Sequence, residues 1–340
     1  MFDRVYTEPS KKPPLKAIVV LSDEPPDIMS SLALVRKKIR RDYVVSINAL
    51  EDGLYALHLV RRIRERKVSG HAIVEWNPSG YWILYTDASS YFVKHVLEPF
   101  LNKLYPVVSR TYFNYRQILS FLHQLEQEYE GASVLTSIFV RRQRKAGQQK
   151  EPGTLQLWEH GAEQELAELI QQYRLWIGQI GFQIRDKTDF LLLAGSLTSR
   201  GVARLRYGRF SDFTEKFILI FVSVALGWKK FFSGRERRLV DGRVQLSPYA
   251  LHYPFRLESR QISDISETLS NLYSFSVIHD GNPYFAASLC DYQDGSSFGV
   301  TVLGNDITIT PVTRATPFSL WKLTTKIQDI VGEGEIGSLQ

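Results

Sequence analysis

The stretch 199–243 constrains the chain most. It reads SRGVARLRYGRFSDFTEKFILIFVSVALGWKKFFSGRERRLVDGR. A basic ribbon (Arg200, Arg204, Arg206, Arg209) leads into the most apolar run of the protein, Phe217 to Trp228, and a second basic cluster follows (Lys229, Lys230, Arg235, Arg237, Arg238, Arg243). The apolar part must be buried, so the charges flanking it are held in fixed positions. The run has 12 residues, whereas a membrane-crossing helix needs about 20. It is read as a core element, helix favoured over strand by its length, and no transmembrane segment is expected.

A length of 340 residues favours two domains. Hydrophobic content of 44% and charged content of 23% are those of a globular chain. The net charge of +6 and pI near 9.2 suit a nucleic acid, an anionic surface or an acidic protein as partner. A single cysteine, Cys290, excludes an internal disulfide and a cysteine-based zinc site, and it suits a reducing, cytoplasmic setting. The first residues lack an apolar h-region, so no signal peptide is expected.

Residues 1–15 are polar and proline-rich and read as a flexible arm. A strand at 16–21 precedes a helix capped by Asp27, with Ile28, Leu32, Val35 and Ile39 on one stripe. A strand at 43–47 comes next, then a helix over about 49–67, ending RRIRERK. His71–Trp76 and Tyr81–Tyr85 form a hairpin around Asn77-Pro78-Ser79-Gly80. A helix from about Ser90 meets Pro99, which kinks it or opens a new one. Asn114 with Gln117 resembles a capping box. A strand at 134–140 closes an N-terminal domain, 16–141, and residues 142–154 are the linker candidate.

The C-terminal domain, 155–333, opens with a possible strand at 155–158. An amphipathic helix then carries Leu166, Leu169, Ile170, Tyr173, Ile177 and Ile180 and is closed by Gly181. Phe190–Ala194 and Gly201–Tyr207 read as a strand pair, and Ala250–Leu257 as a strand. A helix starts at Ser263 and Asp264, with Asp264 and Glu267 as its capping box. Strands at 274–278, 284–289, 298–303 and 307–310 form a meander. A helix over 317–331 and a tail, 334–340, end the chain. The fold class expected is mixed α/β (α+β), each domain a small mixed sheet with packed helices.

Chemistry is sparse. There is no GxxxxGK[ST], GxSxG or HExxH, and the only GxGxxG (Gly332, Gly334, Gly337) follows a helix rather than a strand. Cys290 lies in an apolar strand pattern and reads as a small buried hydrophobe. None of the seven histidines has the close spacing of a helical metal pair. Asp280, Asp291 and Asp294 are the one carboxylate set suited to gathering a divalent metal, as a two-carboxylate nuclease requires. Asp280-Gly281-Asn282-Pro283 and Asp294-Gly295 are also ordinary turn sequences, and the turn reading is preferred. Glu65-Arg66-Lys67 has the letters of a nuclease Glu-x-Lys pair but ends a helical pattern.

Five basic clusters remain: 36–41, 61–67, 141–145, 200–209 and 229–243. Arginine dominates them, and its planar fork suits phosphate. The expected function is a basic intracellular nucleic-acid-binding protein, DNA or RNA undetermined, without cofactor, and more a subunit of a protein complex than an enzyme. Its contacts are Arg204, Arg206, Arg209, Lys229, Lys230, Arg235, Arg237, Arg238 and Arg243, with Tyr207 or Trp228 as stacking partners. The rivals are the metal-dependent nuclease and a scaffold that docks an acidic protein.

Overall fold

A computed structural model describes residues 5–6, 14–22, 39, 42–129, 133–142, 154–157, 175–233, 235, 238–240, 243–281, 284–313 and 315–338. The helix expected over 27–41 falls almost wholly outside these residues. The chain divides into two compact units, Met1–Leu226 and Gly227–Gln340. The division lies some 70 residues beyond the expected linker, 142–154, whose two flanking strands pair with each other.

The first unit is built on a twelve-stranded sheet. Its strands are β1 (Val5–Tyr6), β2 (Leu15–Ser22), β3 (Tyr43–Glu51), β4 (Leu54–Ile63), β5 (Arg66–Asn77) and β6 (Tyr81–Thr86), then β7 (Val108–Arg110), β8 (Ser133–Arg142), β9 (Thr154–Leu157), β10 (Leu175–Arg185), β11 (Leu191–Thr198) and β12 (Val202–Arg209). The order is β3-β4-β5-β6-β2-β12-β11-β10-β8-β9, with β1 added to β12 and β7 to β2. Every described ladder is antiparallel, in place of the small mixed sheets expected. The β2–β12 pairing joins the two ends of this unit's sequence in one core.

Two expected helices are strands. Residues 49–67 form the end of β3, β4 and the start of β5. Asp52-Gly53 turns the chain, Gly53 taking φ +75, which suits a two-residue hairpin. Leu57 and Leu59 are then buried on one face, two residues apart, with His58 between them on the other. Ile177, Ile180 and Gly181 lie in β10, not at the end of a helix. The rest of that predicted stripe, 166–173, is outside the described residues.

Helix α1 combines Ser90–Phe92, a π-helical turn Val93–Leu97 and Glu98–Lys103. Pro99 stands in the first turn of its last segment, so the helix is re-started there rather than broken. Phe92, Val96, Leu97, Phe100 and Leu101 pack on Ile18, Val20, Leu84 and Val74. Gly70 makes this approach possible, since a Cβ there would sit 2.7 Å from the Phe92 ring. Helix α2 (Tyr115–Glu128) begins with the Asn114–Gln117 capping box the sequence announces. Helix α3 runs Phe210–Asp212, a π-helical stretch Phe213–Ile218 and Leu219–Ser233. It is the helix expected from its apolar run, and the division between units falls within it. Phe213 and Phe182 stack on Phe217, and Phe121 meets it edge-on.

The second unit holds a ribbon, β13 (Arg238–Val240) with β14 (Arg243–Gln245), and a six-stranded sheet. That sheet comprises β15 (Tyr249–His252), β16 (Ser274–Asp280), β17 (Tyr284–Cys290), β18 (Ser297–Leu303), β19 (Asp306–Pro311) and β20 (Glu335–Ser338), in the order β16-β17-β18-β19-β15-β20. The meander is as expected, turning between β18 and β19 at Gly304, φ +65. The predicted strand 250–257 is shorter, and the expected tail supplies β20, paired with β15. Helix α4 (Ser259–Leu272) starts earlier than predicted, with Glu258 and Gln261 forming the capping box instead of Asp264 and Glu267. Helix α5 (Pro317–Val331) has the predicted bounds and is capped by Thr316. Its Leu320, Leu323 and Ile327 are buried, as are Phe298, Val300, Ile307 and Ile309 of the sheet.

Candidate nucleic-acid interface

Strand register decides where the first unit carries its charge. Ile73, Tyr85, Ala17 and Ala203 form one row across β5, β6, β2 and β12. From that row Lys67 lies six residues along β5 and Arg209 six along β12, both toward the same end of the sheet. Clusters 61–67 and 200–209, 130 residues apart in sequence, therefore share one end. Arg200 is the exception: it occupies the β11–β12 turn at the opposite end, where Arg110 donates to its carbonyl at 3.1 Å.

On β12, Arg204 stands beside Lys16 of β2 and Ser196 of β11. Tyr207 pairs with Ala194 and Leu205 with Gly195, so Arg206 is the extra residue of a bulge. A bulge re-aims its side chain, and Arg206 is exposed, as is Arg209. Tyr207 is half-buried. Lys16 is 1% exposed. Its Nζ donates to the carbonyls of Ala88 at 2.7 Å and Pro14 at 3.2 Å. Burial, and next the Arg204 guanidinium, lower its pKa to about 8, with Asp87 opposing. Burial also lowers Arg204, helped by Arg206 and opposed by Glu98. Arg204 Nε and Ser196 Oγ are buried and find no hydrogen-bond partner among the described residues.

The β4–β5 hairpin closes over Arg64 and Glu65. Arg62, Arg64, Arg66 and Lys67 are all exposed, with Arg62 directly across the ladder from Lys67. Arg61 anchors the base: its Nη1 donates to the His95 carbonyl at 2.6 Å and its guanidinium lies 5.2 Å from the Tyr43 ring centre. Among the described residues, Arg62, Arg64, Arg66, Lys67, Arg206 and Arg209 form no ion pair. The hairpin also stacks His58 on His71, ring centres 4.3 Å apart, which a helical reading of 49–67 conceals.

The other predicted contacts belong to the second unit or to the helix entering it. Lys230 is exposed and Lys229 half-buried at the end of α3. Arg235 is engaged: Nη1 donates to the Pro248 carbonyl at 3.2 Å, Nη2 donates to Ser338 Oγ, and the guanidinium lies 4.4 Å from the Phe231 ring centre. Trp228 packs against Phe231 and Phe232, with centroids 5.4 and 5.7 Å away. Arg238 and Arg243 fall on the β13–β14 ribbon, opposite Gln245 and Val240. Arg237 is outside the described residues.

The three carboxylates do not converge. On the β16–β17 ladder Asp280 faces Phe285 while Cys290, next to Asp291, faces Ser274 at the other end. That separation is roughly 20 Å at about 3.3 Å per residue. Asp291 Oδ2 accepts from Lys322 Nζ at 2.8 Å, and its Oδ1 from the Gln293 amide at 3.0 Å. Asp294 accepts from the Ser296 amide at 2.9 Å and from Thr316 Oγ1 at 2.7 Å. These are turn and helix-cap roles. Among the described residues no group of three or more His, Cys, Asp or Glu is placed to hold a metal, and none of their helices is long and apolar enough to cross a membrane. No protein-family model and no curated protein matches the chain.

Proposed function

We propose that this protein binds nucleic acid through the cationic end of its first sheet, as a non-catalytic member of a larger assembly. One observation carries the reading: register collects Arg62, Arg64, Arg66, Lys67, Arg206 and Arg209 at one end, all exposed and without ion pairs among the described residues. Arg206 and Arg209 contact phosphates, Arg204 supports them from the neighbouring row, and Tyr207 flanks them. Several exposed guanidinium groups gathered at one end, with no ion pair among the described residues, favour a polyanion over any single small acid. The lone cysteine, free on β17, suits work in a reducing compartment such as the cytoplasm.

The test is binding of nuclease-treated protein to labelled single- and double-stranded DNA and RNA across a salt series. Arg206→Ser with Arg209→Ser should lower the slope of log affinity against log salt by about 2, since each lost phosphate contact removes about 0.9. Affinity near 0.1 M salt should fall about 10- to 100-fold. Wild-type protein that binds none of the four probes at low salt overturns the reading. A protein partner that persists after nuclease treatment would redirect it to an acidic surface.

A further inference from the structure

We infer that the β4–β5 hairpin tip is a second phosphate-binding arm, and that the two arms together select B-form duplex DNA; the inference rests on the nucleic-acid reading above. Arg64 takes φ +55 as the first residue of a two-residue turn, a position that favours glycine. The β3–β4 and β18–β19 turns do place glycine at positive φ, at Gly53 and Gly304. At the β4–β5 tip an arginine stands instead, and Arg62 faces Lys67 across the ladder, a like-charge pair that destabilises a hairpin. Turn and pairing chemistry thus yield to charge at this tip. Four exposed cations there accompany a single acid, Glu65, and no aromatic residue lies between Arg62 and Lys67. The tip therefore suits phosphate backbone rather than unstacked bases.

Geometry sets the kind of partner. The base of the hairpin is fixed by Arg61 on the His95 carbonyl and by Gly70 under Phe92. The tip runs past the last residue of β6, so it projects from the sheet. Strands β5 and β12 are separated by β6 and β2, three ladder spacings, or about 14 Å. The major groove of B-form DNA is about 12 Å wide. At the level of Lys67 and Arg209, each six residues from the common row, one arm on each flanking backbone matches that span. The major groove of A-form RNA is too narrow for that span while its minor groove is wide and shallow, so the duplex-RNA probe below tests the choice; a single strand offers only one backbone.

The experiment uses the full chain and three probes of equal length: duplex DNA, duplex RNA and single-stranded DNA. Wild-type protein should prefer duplex DNA. The tip variant Arg62→Ser, Arg64→Gly, Arg66→Ser and Lys67→Ser should lose about 100-fold or more in duplex-DNA affinity near 0.1 M salt. Its salt slope should fall by about 3 to 4. Single-strand affinity should change less than about 5-fold. Arg64→Gly alone keeps the fold in view: its Tm should equal or exceed wild type while duplex-DNA binding weakens several-fold. Equal losses on all three probes, or no loss on duplex DNA, overturn the second arm. If the Arg206 and Arg209 variant loses binding while the tip variant does not, the general reading stands and this inference falls. If the wild type binds no probe, both fall.

Discussion

The two sheets of this protein use charge in opposite ways. Strands β4, β5 and β12 of the first carry seven arginines and lysines, most of them at one end of the sheet. Strands β15 to β20 of the second carry none. The row Ala286–Thr301–Thr308–Ala250 crosses that second sheet on small, neutral side chains. Several charges of its unit are instead turned to structure: Asp291 holds Lys322, Asp294 holds the α5 cap, and Arg235 holds the Pro248 carbonyl. A net charge of +6 says nothing of this division. It teaches that an arginine count is evidence for a partner only where the fold leaves the arginines unpaired.

The largest expected effect tests the structural half of that contrast. Asp291 is 1% exposed and its carboxylate serves both Lys322 and its own turn. Asp291→Ala should destabilise the second unit by about 3 kcal/mol, the low end for breaking a buried pair, because Lys322 keeps some solvent contact. Hydrogen exchange should accelerate in β17, β18 and α5, while duplex-DNA binding stays at the wild-type level. Magnesium or manganese should not raise the wild-type Tm. A binding loss without faster exchange would erase the distinction between the units, and a metal-dependent rise in Tm would reopen the carboxylate site.

Much of the second unit was legible in the sequence because its signals are local. The meander, the turn at Gly304 and the α5 bounds follow from alternation, a positive-φ glycine and Thr316-Pro317. The first unit misleads where local signals conflict. In β10 a bulge after Ile177 leaves Gly178 without a partner on β8. Ile177 and Ile180 are both fully buried, three residues apart, and so mimic a helical stripe. Over 49–67 the leucine spacing suggests a helix, but Asp52-Gly53 and the exposed Arg64-Glu65 turn cut that span into strands. The shared cationic end was not legible at all. It depends on β2 pairing with β12, a contact between residues nearly two hundred positions apart that no window of sequence contains.

A second test concerns what the cationic row does to stability. Lys16 has a folded-state pKa near 8, below its ordinary 10.5. Between those values the unfolded chain holds a proton that the folded chain does not, so stability should rise with pH through the window. From pH 8 to 10 the gain is about 2–3 kcal/mol at most. Denaturant unfolding of the first unit at pH 8, 9 and 10 reads it directly. Lys16→Met should remove the slope. A wild-type curve that is flat over this range, or a slope that survives in the variant, would show that the buried ammonium is fully compensated and that the row carries no strain.

The smallest effect discriminates most finely between the units. Arg235 has the same guanidinium as Arg206 but two hydrogen-bond acceptors and an aromatic face of its own chain. Arg235→Ala should destabilise the second unit by about 1–2 kcal/mol, the worth of hydrogen bonds from a charged group at a partly exposed site. It should leave nucleic-acid affinity and its salt slope unchanged, because a phosphate must compete with acceptors already in place. Arg206→Ala should do the reverse, weakening binding with little change in stability, since its side chain is exposed at a bulge. Parallel melts and salt titrations of the two variants therefore separate an arginine held by the fold from one left for a partner. Equal salt slopes in both would mean that exposure at the bulge confers no privilege on Arg206.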